Sequence, residues 1–269
     1  MYQNIKKGLF SFLAAVICLA AFDNSSVALA KDAEAVVDKS EVENGIIVIH
    51  GQQAAEQIDK IGVVKDDIIY YYDYNDDIRV PLQSGNGTYK IELYSHVEGS
   101  KYRRILSDEV QYDTDDGVTV YLQSTQLVNW DTDMKAVKKA AELTRGKKTD
   151  KEKAEAIYNY IVENYRYDNK KAETVVSGYI SSVEDTFQSK KGICYDYSVL
   201  FASMLRSAGV PVKVLMGRSR DVSEYHAWNE VYLDGSWITV DTTLDSAVSG
   251  EARGSMGKKA GRYTIEKQY

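Results

Sequence analysis

The stretch from Tyr225 to Asp241 constrains the fold more than any other part of the chain. Two runs, Tyr225-His226-Ala227-Trp228-Asn229-Glu230-Val231-Tyr232-Leu233 and Ser236-Trp237-Ile238-Thr239-Val240-Asp241, are rich in β-branched and aromatic residues and are separated by Asp234-Gly235. A two-residue Asp-Gly connection between such runs predicts a tight hairpin, because its backbone twist matches that of the strands, and the turn then fixes the register. Leu233 faces Ser236, Tyr232 faces Trp237, and the ladder continues to Trp228 facing Asp241 and His226 facing Thr243. His226 and Asp241 become diagonal neighbours on one face of an antiparallel pair, with Cα atoms ~7–8 Å apart, a gap that an imidazole and a carboxylate can bridge.

A histidine oriented by a carboxylate serves a nucleophile, and the cysteines supply the candidate. The chain has only two, Cys18 and Cys194. Residues 1–30 have the pattern of a secretory signal: Lys6 and Lys7, then an apolar run from Gly8 to Phe22, then Ala28-Leu29-Ala30 as a small-residue cleavage site. The apolar run falls short of the ~20 residues a bilayer span needs. Cleavage near Ala30 would leave a secreted or cell-surface protein without a stable membrane anchor and with Cys194 as its one thiol, unable to form an intramolecular disulfide. Cys194 opens a segment, Cys194 to Ala208, with Val199, Leu200, Met204 and Leu205 as apolar anchors and Gly209 and Pro211 as stop signals, the pattern of a helix. The first turn of a helix is where unpaired N–H groups and the dipole favour a thiolate. His50 and His96 lie in the strand-rich half and are read as ordinary surface or strand histidines.

Between about Ile46 and Leu122 the chain reads as strands and turns. Tyr89, Ile91 and Leu93 alternate with Lys90, Glu92 and Tyr94, with Asn86-Gly87 as a hairpin signal, and Gly45 to His50, Asp67 to Tyr74 and Val118 to Leu122 are further candidate strands. A small all-β sandwich of about 90 residues is expected. The character changes near Trp130: Asp133 to Leu143 has helical spacing, and a second helix opens at Thr149, with Glu152 placed to complete a capping box. A short helix is expected after Ser181, strands at Val212 to Met216 and Tyr263 to Tyr269, and a surface loop from Ser246 to Arg262. The predicted organisation is a signal peptide at 1–30, a β-sandwich accessory domain at 31–125 and a catalytic domain at 126–269.

Three blocks in this order resemble the core of the transglutaminase-like superfamily: Gly192-Ile193-Cys194-Tyr195-Asp196-Tyr197-Ser198 with Met204 to Pro211, then His226 to Tyr232, then Trp237-Ile238-Thr239-Val240-Asp241-Thr242-Thr243. The resemblance covers about Asp133 to Leu244. It implies an α+β, papain-like fold, a helix-borne cysteine packed on an antiparallel sheet, with Cys194 as nucleophile, His226 as base and Asp241 as its orienter. The family often has Asp-Pro-Thr where this chain has Asp241-Thr242-Thr243, so the turn after the aspartate is less constrained. The implied activity is acyl transfer from a protein or peptide amide through a cysteine thioester, resolved by water (protease or amidase) or by an amine (transglutaminase). A non-enzymatic surface-binding module and a peptidoglycan stem-peptide hydrolase are the alternatives.

Composition narrows the partners. Thirty-three basic against forty acidic residues give a formal charge of -7, and loss of Lys6, Lys7 and Asp23 with the leader makes it 31 minus 39, or -8. That sign is wrong for a nucleic-acid partner and leaves a protein or peptide substrate, including a cell-wall peptide. Asp113 to Gly117 and Asp73 to Asp77 lack the sixth-position glycine and twelfth-position glutamate of a calcium loop, so neither a metal nor a cofactor is expected. Asn86-Gly87-Thr88 matches a glycosylation acceptor but is better read as a hairpin, and Tyr70, Tyr71, Tyr72 and Tyr74 are read as core packing rather than a carbohydrate face.

Overall fold

A computed structural model describes residues 17–18, 36–248 and 254–269. Apart from Ile17–Cys18, the expected leader lies outside the described residues. The chain divides into two compact units that meet in sequence between Gln126 and Leu127.

The N-terminal unit is all β. Its strands are β1 Ile17–Cys18, β2 Val37–Asp38, β3 Ile46–Ile49, β4 Lys60–Lys65, β5 Ile68–Asp73, β6 Ile78–Pro81, β7 Gly87–Glu98 and β8 Lys101–Tyr112. They form two sheets, in the orders β1-β8-β7-β4-β5 and β2-β3-β6. Tyr89, Ile91 and Leu93 point inward as the alternation requires, and Tyr70 and Tyr72 of the tyrosine run are buried with them. Buried phenols need partners: the Tyr89 hydroxyl donates to the Leu82 carbonyl just beyond β6 at 2.9 Å, and Tyr72 accepts from Gln83 Nε2 at 3.0 Å.

Two local expectations in this unit are corrected. Thr119–Leu122 is a 3-10 turn, not a strand; a short apolar run carries no periodicity that separates the two. Asn86-Gly87 makes no hairpin: Asn86 sits in a bend and Gly87 already opens β7, and β6 and β7 belong to different sheets. The β7–β8 hairpin turns instead at Gly99, and Asn86 is fastened by its side chain to the backbone of Thr114.

The C-terminal unit contains α1 Lys135–Thr144, α2 Asp150–Asn164, β9 Arg166–Tyr167, α3 Asn169–Thr174, α4 Val183–Ser189, β10 Lys191–Gly192, α5 Cys194–Ser207, β11 Val212–Ser219, β12 Val222–Leu233, β13 Ser236–Val240, α6 Thr242–Ser246 and β14 Tyr263–Gln268. The sheet, ordered β13-β12-β11-β14, is antiparallel throughout. Helix α5 is buried on all sides from Tyr195 to Arg206 and packs on β11 and β12, as a helix must when its apolar residues surround it. At its C-terminal end the buried Arg206 guanidinium donates to the Val212 carbonyl at 3.1 and 2.9 Å and to the Tyr269 carbonyl at 3.1 Å. Thr149 and Glu152 form the expected capping box of α2. At α4 the cap is Ser182, and Glu184 accepts instead from the Ala136 N–H of α1 at 3.0 Å.

The β12–β13 hairpin has the predicted register, Leu233 opposite Ser236 through Asn229 opposite Val240. Asp234 and Gly235 both have positive φ, 51° and 82°, which a tight turn matched to strand twist requires. The ladder stops at Val240, however, so His226 does not face Thr243; Asp241 caps α6, which begins at Thr242. Gly217 of β11 lies opposite His226, and a Cβ there would sit 2.1 Å from the Thr264 carbonyl oxygen of β14, so only glycine lets the two strands close. Of the expected loop from Ser246 to Arg262, residues 249–253 lie outside the described residues. Beyond them Gly257 bridges to Val240, and Lys258 pairs with Asp245 at 2.7 Å.

Candidate active site

The site is built around the N-terminus of α5. β9 and β10 form a two-residue parallel ladder in which Gly192 pairs with Tyr167. A Cβ on Gly192 would meet the Asp196 Cβ at 2.6 Å, so the approach to the helix is open only to glycine. Ile193 is extended, at φ -91° and ψ 178°, and helical geometry begins at Cys194, whose side chain is partly buried. The Cys194 N–H stands in the first helical turn, where no intrahelical acceptor exists.

Two residues on, still in the first turn, Asp196 is wholly buried and accepts four hydrogen bonds. Its Oδ2 takes the Ile193 N–H at 2.8 Å and the Lys171 ammonium at 2.7 Å, and its Oδ1 takes the Tyr179 and Ser181 hydroxyls, each at 2.7 Å. A carboxylate can be buried at tolerable cost only when its lone pairs are filled in this way. The result fixes the residue before the nucleophile and ties the 168–181 segment to it. Sequence reading quoted Asp196 within a motif but gave it no role.

His226 and Asp241, the other two residues singled out from the sequence, come together here. His226 is 3% exposed and Asp241 fully buried, with His226 Nε2 2.7 Å from Asp241 Oδ2. The Cys194 side chain lies near enough to the imidazole to act on its charge. Asp241 Oδ1 accepts the Leu244 N–H at 3.0 Å, the cap of α6, and Oδ2 accepts the Tyr263 hydroxyl at 3.1 Å. Burial alone would push the His226 pKa down; the Asp241 carboxylate outweighs it by charge and hydrogen bond, Cys194 adds to this, and the ring is held up at about 10. The imidazolium is therefore the favoured state at neutral pH. Trp228 lies near-parallel to the His226 ring, with centroids 6.2 Å apart, and Tyr263 packs on Trp228 at 4.9 Å.

Tyr263, like Asp196, escaped the sequence reading. The only hint was a strand expected to start at that residue. His50 and His96 lie in the N-terminal unit: His50 is bonded to Asp77 at 2.7 Å and His96 to the Gly99 carbonyl at 2.9 Å. Among the described residues no group of three or more His, Cys, Asp or Glu could hold a metal, and no helix is long and apolar enough to cross a membrane.

A cysteine at the head of a buried helix, set against an antiparallel sheet that presents a His–Asp pair, defines a papain-like core. The family model of the transglutaminase-like superfamily matches residues 137–242, the stretch that builds this core. Over 118 residues the chain is 31% identical to kyphoscoliosis peptidase of Homo sapiens, a match that covers 40% of this chain but only 18% of that protein. It is 29% identical over 119 residues to a UPF0252 protein of Methanocaldococcus jannaschii, covering 40% of this chain and 34% of the relative. Among solved structures, the periplasmic domain of TgpA from Pseudomonas aeruginosa is similar over 78% of this chain and 72% of its own, at 14% identity and a TM-score of 0.40. The chain thus spans less than a fifth of kyphoscoliosis peptidase and about a third of the archaeal relative.

Proposed function

We propose that the protein is an exported thiol acyl-transfer enzyme acting on protein or peptide amides, with residues 126–269 as its catalytic domain and 31–125 as an accessory β domain. The observation that carries the reading is the buried His226–Asp241 hydrogen bond beside a thiol on the first residue of a helix, with Cys194 close enough to act on the imidazole. In the reactive pair the thiol proton resides on His226, and the sulfur attacks the amide carbonyl. The Cys194 N–H is placed to stabilise the oxyanion. His226 then delivers its proton to the leaving nitrogen, the C–N bond breaks, and a thioester remains. Water or an amine next attacks the thioester, His226 takes up the proton, and the sulfur leaves as thiolate. Water as acceptor makes the enzyme a peptidase, the activity named for the human relative; an amine makes it a transglutaminase.

The test is intact-mass spectrometry of the protein lacking residues 1–30 after incubation with a glutaminyl peptide plus an amine, with a casein-like protein, and with peptidoglycan fragments. A mass gain at Cys194 equal to the acyl fragment, absent in Cys194→Ala, is expected from at least one substrate. No adduct or product from any of the three counts against the assignment. Export is tested by N-terminal sequencing of protein recovered outside producing cells, with Lys31 expected as first residue.

A further inference from the structure

We propose that Tyr263 is a positioning residue of the catalytic centre, holding the Asp241 carboxylate in line with His226 from a strand that carries neither of them. The inference rests on the acyl-transfer reading and adds a fourth member to its machinery.

Asp241 leaves the end of β13 as the cap of a five-residue helix, and its carboxylate has three donors. The Leu244 N–H holds Oδ1 at 3.0 Å. Oδ2 is shared by His226 Nε2 at 2.7 Å and the Tyr263 hydroxyl at 3.1 Å. Were the tyrosine absent, Oδ2 would be held only by the imidazole it is supposed to orient, and each would depend on the other for its place. The phenol supplies a reference point outside the pair. It is neutral at working pH, because burial and then the Asp241 charge push its pKa far up, so it donates a hydrogen bond and adds no charge.

The strand that carries Tyr263 is itself fixed. β14 pairs with β11 from Ser219 opposite Tyr263 to Leu215 opposite Gln268, and Arg262 makes a two-armed ion pair with Asp221 in the β11–β12 turn. The Tyr263 ring packs on Trp228, which lies against His226. The charged and titratable groups facing this cluster are Asp221, Arg262, Asp245 with its partner Lys258, and Cys194. Phenylalanine at 263 keeps the ring contact and removes only the hydroxyl.

The test needs no knowledge of the substrate. The rate of Cys194 alkylation by iodoacetamide is measured from pH 5 to 9 by intact mass for the wild type, Tyr263→Phe and Thr264→Val, the last a change on exposed β14 surface, with thermal unfolding of each sample. We expect the wild type to react far faster than glutathione at pH 6, Thr264→Val to match it, and Tyr263→Phe to be slowed 3- to 10-fold at pH 6 with melting within a few degrees of wild type. Tyr263→Phe that reacts at the wild-type rate or faster overturns the inference and leaves the Cys–His reading standing. A wild type no faster than glutathione removes that reading and the inference with it. If Tyr263→Phe does not fold, Tyr263→Trp, which restores a ring with an N–H donor, is measured in its place; a wild-type rate supports a donor at this position and glutathione's rate overturns it.

Discussion

In the N-terminal unit most ion pairs lie at the surface, among them Lys39 with Asp108, Arg103 with Glu56 and Arg79 with Glu41, and only the Arg104–Glu92 pair has a buried member among the described residues. Its interior is aliphatic and tyrosyl, and Glu92 is the one buried charged residue among those described there. The C-terminal unit buries Asp196, Arg206, His226, Asp241 and Asp245. Each burial costs desolvation that only several well-made hydrogen bonds can offset. Asp196 lies in the same helical turn as Cys194, and the His226–Asp241 pair lies close enough to it to feel its charge. A sheet packed for stability alone has no need of them, so their concentration around one thiol is what singles this site out for the proposed chemistry.

The contrast can be broken in four ways. The largest effect is expected at Asp241→Asn, which keeps the side-chain shape but favours the wrong imidazole tautomer. Turnover should fall by roughly 10³–10⁴-fold, measured as thioester formation on a folded sample, and a loss under tenfold would mean that Asp241 does not orient His226. Next is Asp196→Ala, which strands the Lys171 ammonium and the Tyr179 and Ser181 hydroxyls. It should cost about 3–5 kcal/mol in denaturant unfolding, and a cost below ~1 kcal/mol would show that the buried carboxylate is not a structural anchor.

The third concerns pH. The folded pKa of His226 is raised from its ordinary value to about 10. Its contribution to stability is therefore complete below ~6.5 and lost as pH rises through the folded value. The melting-temperature gap between wild type and His226→Ala should shrink from pH 6 to pH 10; a constant gap would show that the ring does not titrate in this way. The smallest effect is expected at Arg103→Ala, whose partner Glu56 is 48% exposed. Its unfolding free energy should stay within ~1 kcal/mol of wild type, and a larger loss would erase the difference between the two units.

Local chemistry was legible in the sequence and long-range polar contacts were not. Asp234-Gly235 announced both the hairpin and its register, because a two-residue turn leaves the strands almost no freedom. The α5 boundaries followed from Gly209, Pro211 and the apolar spacing, and the α2 cap from Thr149 and Glu152. Asn86-Gly87 marked a break in the chain but not a hairpin, because Gly87 already belongs to β7 and the flanking strands join different sheets. Asp196 and Tyr263 were invisible because nothing in one sequence separates a buried aspartate from the many exposed ones, or a donor tyrosine from the other twenty. Their side-chain partners lie 15 to 22 residues away, or further. The β9–β10 ladder, two residues on each side, is too short to leave a pattern.

Gly217 stands between the two sides of the proposed catalytic apparatus, opposite His226 on β12 and almost touching β14 on its other flank. A mutational survey scored by fold would record it as one more intolerant glycine. Scored by rate, it would belong with the proposed active site, since any side chain there must push β14, the strand that carries Tyr263, away from β11. One steric clash would then carry two penalties, in stability and in rate. A gradual path to altered activity by loosening the sheet at this point therefore begins with a step that is already costly.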